Sequence, residues 1–407
     1  MAAGQEYGDG PVAALRRIAF LLERGREETY KVRAYRTAAA AILPLPPEEV
    51  AARAEAGTLT ELTGVGKSTA RVITEACRGE LPERLERLES QHHGPLVPGG
   101  REVRARLRGD LHTHSDWSDG GSPIEEMAMT AIELGHDYLV LTDHSPRLTV
   151  AHGLSAERLA RQLDVVEAVN AHLGSTGFRL VRGIEVDILD DGSLDQTEEM
   201  LGRLELRVAS VHSKLKMDSD AMTRRMVAAV RNPFTNVLGH CTGRLVTGNR
   251  GTRAQSQFDA RVVFEACAEE GVAVEINSRP ERRDPPTRLL ELARDIGCVF
   301  SIDSDAHAPG QLDYPLLGCE RAEAAGIDAD RITVVRRGNT VDTVLHRLFH
   351  QESVRVYPTI ALAHGCRPPR PGLHRAAPGR PPTTAIRWQA ALRAGCCCAT
   401  RASGSRR

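Results

Sequence analysis

Residues 108–120 read RGDLHTHSDWSDG, a short apolar run that closes on Asp110-Leu111-His112-Thr113-His114 with Asp119 just beyond. In an extended segment, residues i and i+2 point the same way, so His112 and His114 project together. The same kind of ending recurs downstream. Thr142-Asp143-His144-Ser145, Gly183-Ile184-Glu185-Val186-Asp187, Ser210-Val211-His212-Ser213, Leu238-Gly239-His240 and Asp303-Ser304-Asp305-Ala306-His307 each close an apolar run. Seven runs read as strands, over 107–113, 137–143, 178–189, 206–212, 236–241, 272–277 and 298–304. Helical stretches such as SPIEEMAMTAIELG and SAERLARQLDVVEAVNAHLG lie between them, both opening on Ser, a good N-cap. Strand–helix repeats imply parallel strands, and seven of them suggest a closed barrel. An open doubly wound sheet is the structural alternative.

In a βα barrel the C-terminal strand ends converge on one mouth. Six histidines, two aspartates and one glutamate would then face one another: His112, His114, Asp119, His144, Glu185, His212, His240, Asp305 and His307. So many imidazoles and carboxylates in one pocket are costly unless metal ions occupy it. A mixed His/carboxylate donor set suits Zn²⁺, Mn²⁺ or Fe²⁺ better than Mg²⁺. The other histidines, among them His92, His93, His136 and His172, read as surface or core residues. Asp143 and Asp303 sit beside candidate ligands and either orient them or cap turns.

The motifs HTHSDWSDG, TDHS, GIEVD, SVHS, GH and SDAH, in this order over residues 106–335, resemble those of the PHP (polymerase and histidinol phosphatase) family of metal-dependent phosphoesterases. The resemblance implies a distorted seven-stranded βα barrel and three divalent ions held by nine ligands. One ion would take His112, His114, Glu185 and Asp305. A second would take Asp119, His144 and His307. A third would take His212 and His240, with Glu185 bridging. Asp119 stands where other members carry His. The implied reaction is hydrolysis of a phosphate mono- or diester by metal-activated water. Lys214, Arg244, Arg279 and Arg282 follow strand ends four, five and six and are candidates to grip the substrate phosphate, or else solvated loop charges.

Residues 11–90 read as helices, with Val12, Leu15, Ile18, Ala19 and Leu22 at helical spacing in the first. LTGVGKSTARVITE resembles a helix-hairpin-helix. In that motif Gly64 and Gly66 let the turn approach a phosphate, and backbone N–H groups at the next helix start bind it. With KVRAYRTAA, the region looks like the small N-terminal domain of family X DNA polymerases, which binds gapped or single-stranded DNA. Lys31, Arg33, Arg36, Lys67 and Arg71 would form the local patch; the alternative is a structural or protein-contact module. The lysine that forms a Schiff base in that family aligns with Val72, which cannot do this chemistry, so no such lyase activity is expected. In bacterial family X polymerases a nucleotidyltransferase domain often separates this module from a C-terminal PHP domain. Here a Gly/Pro-rich linker over 91–105 is all that intervenes, and no polymerase activity is expected.

The chain has 407 residues and a formal net charge of −1. That total divides as −1 over 1–90, −11 over 91–335 and +11 over 336–407, so any DNA contact must rest on local patches. No run reaches the ~20 apolar residues of a membrane span, and the N-terminus lacks a signal-peptide start, so the expected location is cytoplasmic. Cys77, Cys241, Cys267, Cys298 and Cys319 read as buried free thiols. The Arg/Pro-rich segment 336–407, with Cys366 and Cys396, Cys397 and Cys398, reads as a disordered tail, a basic arm or a reading-frame artefact. Two functions follow: a DNA 3′-end-processing exonuclease or phosphatase, or a small-molecule phosphomonoesterase of the histidinol-phosphatase type. An intact ligand set argues against a non-catalytic regulator.

Overall fold

The computed structural model describes residues 10–333, apart from 175, 249 and 250; the expected tail lies outside the described residues. Five helices come first: α1 (Pro11–Arg24), α2 (Thr29–Ile42), α3 (Pro47–Ala56), α4 (Lys67–Cys77) and α5 (Glu83–His92). Their apolar faces meet in one core, where Leu15, Ile18, Leu22, Ile42, Ile73 and Leu88 are fully buried. Gly66 caps α4, its N–H donating to Thr69 Oγ1 at 3.0 Å. The preceding Gly64 sits at φ +94°, a conformation that favours glycine and lets the hairpin turn sharply.

The segment read as a linker contains a sixth helix, α6 (Arg101–Arg106). It is packed rather than free. A Cβ on Gly100 would stand 2.9 Å from the Cys319 carbonyl carbon, and the Gly100 N–H donates to Glu323 at 2.6 Å.

Seven strands follow: β1 (Gly109–Thr113), β2 (Tyr138–Leu141), β3 (Arg179–Asp187), β4 (Leu206–Ser210), β5 (Val237–Leu238), β6 (Ala273–Asn277) and β7 (Phe300–Asp303). All are parallel and pair in chain order. The intervening helices are α7 (Ile124–Glu133), α8 (Ala156–Leu173), α9 (Glu198–Leu201), α10 (Ser219–Val230), α11 (Ala260–Glu270) and α12 (Thr287–Ile296), and α13 (Pro315–Ala324) follows β7. Ser155 caps α8 as its sequence suggests, accepting from Arg158 N. Ser122 does not cap α7. Pro123 starts that helix with its preset φ of −61°, and the Ser122 carbonyl instead accepts from Asp116 N.

The barrel is nearly closed, which excludes the open sheet. Between β1 and β7 the ladder reduces to one bridge, Thr113 with Ala306. Carboxylates complete the seam: Leu111 N donates to Asp303 Oδ1 at 3.0 Å and Ser304 N to Asp110 Oδ2 at 3.1 Å. The distortion is also visible at β5, which is only two residues long. Among the described residues no helix is long and apolar enough to cross a membrane.

The helical domain is docked on the barrel. Glu23, at the end of α1, accepts from Gly310 N at 2.7 Å and pairs with Arg36, which also pairs with Glu126 of α7. Arg24 donates to Asp313 at 2.6 Å, and Arg26 pairs with Glu281 at 3.0 Å.

Candidate metal centre

Glu185, on β3, stands at the middle of the barrel mouth. His112 Nε2 and His114 Nε2 lie 3.3 and 3.5 Å from its Oε2, and His144 Nδ1 lies 2.9 Å from the same atom. On the other side, His212 Nε2 and His240 Nε2 lie 3.2 and 2.8 Å from Oε1. Asp119 Oδ1 is 3.4 Å from His144 Nε2 and 3.3 Å from His307 Nε2. Asp305 Oδ1 is 3.4 Å from His114 Nε2 and 3.5 Å from His307 Nδ1. All nine residues singled out in the sequence therefore meet in one pocket. The backbone at Asp305 is left-handed, φ +52°, an uncommon state for a non-glycine residue.

Three groups of donor atoms are tight enough to hold an ion each: His114, Asp119, His144 and His307; His112, His114 and Glu185; and His144, Glu185 and His212. The sets differ from those implied by the motifs. His114 and His144 each join two groups, whereas His240 and Asp305 stand beside a group rather than inside one. The physical reason is crowding: the rings of His114 and His144 stack with centroids 4.5 Å apart, so each lies within reach of two neighbouring donor groups.

Polar satisfaction supports the metal reading. His112 Nε2, both nitrogens of His114 and of His212, His144 Nδ1, His240 Nδ1 and Asp119 Oδ1 are buried without a well-oriented hydrogen-bond partner. Orphaned buried polar atoms are rare in native folds. In this pocket they are imidazole nitrogens and a carboxylate oxygen, the atom types that a borderline divalent ion takes.

Electrostatics follow from the same packing. Burial pulls His114 down to about 3, helped by His307 and His144, so its ring is neutral. Burial also disfavours the charged form of His144, but Glu185 and Asp119 outweigh it and raise that group to about 10. Glu185 is held well below the carboxylate range despite its burial by His112, His212 and His144, and Asp305 by Arg279 and His112.

Glu275 and Asn277 escaped the sequence reading. Glu275, on β6, is fully buried and its Oε1 lies 2.6 Å from His112 Nδ1. It also accepts from the His240 backbone N–H and, at 3.3 Å, from Asn277 Nδ2. Asn277 in turn donates to Asp305 Oδ2 at 3.1 Å. The signal was the pair Glu275 and Asn277, two polar residues at i and i+2 in an otherwise apolar strand. Asp187 receives the His212 N–H at 3.1 Å. Asp143 takes Ser115 N and Oγ, Ser118 Oγ and Gln162 Nε2, so it fixes the turn that presents Asp119. Asp303 closes the barrel seam instead.

Of the candidate phosphate-gripping residues, Arg279 and Arg282 reach the cluster. Arg279 NH1 lies 2.9 Å from His307 Nδ1, and Arg282 Nε donates to Asp305 Oδ2 at 3.1 Å. Arg244 does not: its guanidinium binds the Arg282 and Arg283 carbonyls and so braces that loop. Lys214 pairs with Asp190 on the surface.

In the helical domain Gly64, Gly66 and Lys67 form an exposed turn at the start of α4. Lys31 and Arg71 line a groove of about 480 Å³ between α2, α4 and α5, where Tyr30, Arg84 and Arg87 join them. Arg84 and Arg87 were not picked out in the sequence, although their i, i+3 spacing places them on one helix face. Both candidates carry acidic partners, Lys31 with Glu27 and Arg71 with Glu75 and Glu83. Arg33 is exposed. Arg36 leaves the patch altogether: it is consumed by Glu23 and Glu126 between the domains.

Fold and site define a parallel βα-barrel protein whose mouth gathers donors that could hold divalent ions, joined to a helix-hairpin-helix module. Family comparison agrees. A helix-hairpin-helix domain model matches residues 10–80 and a PHP domain model residues 110–279. The chain thus carries a helix-hairpin-helix domain followed by a PHP domain. Asp305 and His307 lie past the matched stretch yet pack into the same cluster. Among curated relatives, the chain is 34% identical over 273 residues to the DNA polymerase/3′-5′ exonuclease PolX of Bacillus subtilis, covering 63% of this chain and 47% of that protein. It therefore spans about half the length of that relative. It is 28% identical over 210 residues to a probable phosphatase of Thermoanaerobacter, covering 49% of this chain and 78% of the relative. A Lactococcus lactis histidinol phosphate phosphatase, solved with zinc, L-histidinol and phosphate, aligns with a TM-score of 0.39 at 16% identity, over 55% of this chain and 95% of that one.

Proposed function

We propose that this chain is a metal-dependent phosphoesterase that trims DNA from 3′ ends at gaps or damaged sites and has no polymerase activity. The observation that carries the reading is a pocket of orphaned imidazole nitrogens docked against a domain with an exposed hairpin turn and a groove lined by Lys31, Arg71, Arg84 and Arg87. The nine cluster residues, His112, His114, Asp119, His144, Glu185, His212, His240, Asp305 and His307, would hold up to three ions, zinc, manganese or iron by donor type. Divalent ions bound there supply an activated water and positive charge for the phosphoryl oxygens.

The chain's own residues do the rest. Glu275 keeps the His112 ring oriented with Nε2 toward the pocket. Arg279 and Arg282 stand beside Asp305, where they balance its charge and are placed to bind non-bridging phosphate oxygens. The hairpin backbone at Gly64–Lys67 and the groove cations take DNA phosphates away from the reacting bond.

One observation favours a second reading, a small-molecule phosphomonoesterase: two partly buried arginines beside the cluster suit a dianionic terminal phosphate. One experiment separates them. The protein is incubated with Mn²⁺, with and without chelator, on end-labelled gapped DNA, while phosphate release from a small phosphomonoester is followed in parallel. Chelator-sensitive shortening from the 3′ end is the expected result. Intact DNA with brisk phosphate release overturns it in favour of the second reading.

A further inference from the structure

The loops that deliver the metal-centre residues are held from outside the barrel. The segment after β7 carries Asp305 and His307, then turns through a 3₁₀ stretch, Pro309–Asp313. His307 N donates to Gln311 Oε1 of that turn at 2.8 Å. The segment after β1 carries Asp119 and runs into α7. Gly121 N donates to the His307 carbonyl at 2.7 Å, so the two segments lean on each other.

One carboxylate of the helical domain reaches both, the first directly and the second through Arg36. Glu23 Oε2 accepts from Gly310 N at 2.7 Å, inside the turn that holds His307. The same carboxylate receives both Arg36 Nε and NH2, at 3.1 and 2.7 Å. Arg36 NH1 continues to Glu126 in the first turn of α7, which also takes Arg16 Nε at 2.8 Å. Glu23 is only 6% exposed. The fit is close: a Cβ on Gly310 would stand 2.6 Å from Glu23 Cβ. Tyr314 OH donates to the Glu23 carbonyl at 3.2 Å, and Arg24 holds Asp313.

We infer that Glu23 is a positioning residue of the metal centre, so that the helical domain is a structural part of the ion site formed by His114, Asp119, His144 and His307 and not only a DNA-holding appendage. The reason is mechanical. A ligand shell tolerates little displacement, and its outer supports are worth about 10–100-fold in metal affinity. Here two of the four donors, Asp119 and His307, sit on segments whose outer faces meet Glu23 and Arg36. The group of His144, Glu185 and His212 lies toward β3 and β4, away from this contact, and should be indifferent to it.

The inference rests on the metal reading proposed above but not on the substrate. The test is Co²⁺ titration of the metal-free chain of 407 residues, reading stoichiometry and the d–d spectrum. Glu23→Gln, folded by its melting transition, is expected to lose about tenfold or more in affinity for one equivalent of Co²⁺. The other equivalents should bind as in the parent chain, and Glu23→Asp should recover part of the loss. Leu88→Ala, a core change in the same domain, should lower the melting temperature and leave the titration unmoved. Where Glu23→Gln fails to fold, Gly310→Ala takes its place, because the added methyl group pushes the turn away from α1. Folded Glu23→Gln or Gly310→Ala with the parental titration and spectrum overturns the inference alone. A parent chain that takes up no Co²⁺ overturns the metal reading and this inference with it.

Discussion

Glu275 Oε1 lies 2.6 Å from His112 Nδ1, deep in the barrel and with neither side chain exposed to solvent. A carboxylate there accepts a hydrogen bond from Nδ1–H and so directs Nε2 toward Glu185 and Asp305. Glu275→Gln offers an amide that can still accept but carries no charge. It should lower metal affinity about 10–100-fold while the barrel stays folded. Equilibrium dialysis against Zn²⁺ or Mn²⁺ checks this, and parental affinity would refute the role.

Catalysis and DNA binding should separate. Asp305→Ala or His114→Ala removes a donor from the cluster and should abolish hydrolysis in a chelator-controlled assay. DNA affinity, which the proposed function assigns to residues 1–90, should change by less than about threefold, since the substituted groups lie outside the groove. Fluorescence anisotropy on gapped DNA measures the second quantity. Equal loss of both would argue that the two functions share one surface.

Reversing charge in the groove should weaken DNA binding through phosphate contacts. Arg87→Glu, which is exposed on α5, should cost about tenfold in affinity at low salt and flatten the salt dependence by about one unit of log–log slope. An unchanged slope would place the DNA elsewhere. Arg36→Ala should behave differently: its guanidinium is spent between Glu23 and Glu126, so it should lower the melting temperature without altering that slope.

His136 predicts an acid sensitivity unrelated to the metal centre. Burial first, and then Arg104, pushes its pKa down to about 3, while the unfolded chain titrates near the ordinary value of about 6.5. The unfolded state therefore binds the proton first. Stability from the neutral ring is complete above pH about 6.5 and is lost as pH falls below it, by about 1.4 kcal/mol per pH unit. Denaturant unfolding at pH 7, 6 and 5 should show a shallower decline for His136→Gln than for the parent chain. Parallel declines would show that another group controls the slope.

The strand endings were readable because β periodicity is local. HTH at 112–114 and DAH at 305–307 announce two donors on one face each, and short helical connections force parallel order, so convergence at one mouth follows from chain geometry alone. Glu275 was hidden in the same code, since one acid inside an apolar strand looks like a lapse in pattern until the partner ring is seen. Arg36 was misread for a different reason. Its sequence context is that of a basic helix face, and nothing nearby reveals that Glu126, ninety residues on, will claim it.

The sequence by itself determined the alternation of strand and helix, the donor set of the pocket, the helix-hairpin-helix turn and the valine at position 72. These depend on residue type and on spacings of two to four residues, which backbone geometry converts directly into a face or a turn. Only the tertiary structure decided which donors come close enough to share an ion, which arginines face the pocket, and that α1 seats against the turn after β7. Those outcomes depend on partners as far apart as Glu23 and Gly310. Burial of Glu23 then makes its contacts with Gly310 N and Arg36 costly to leave unmade.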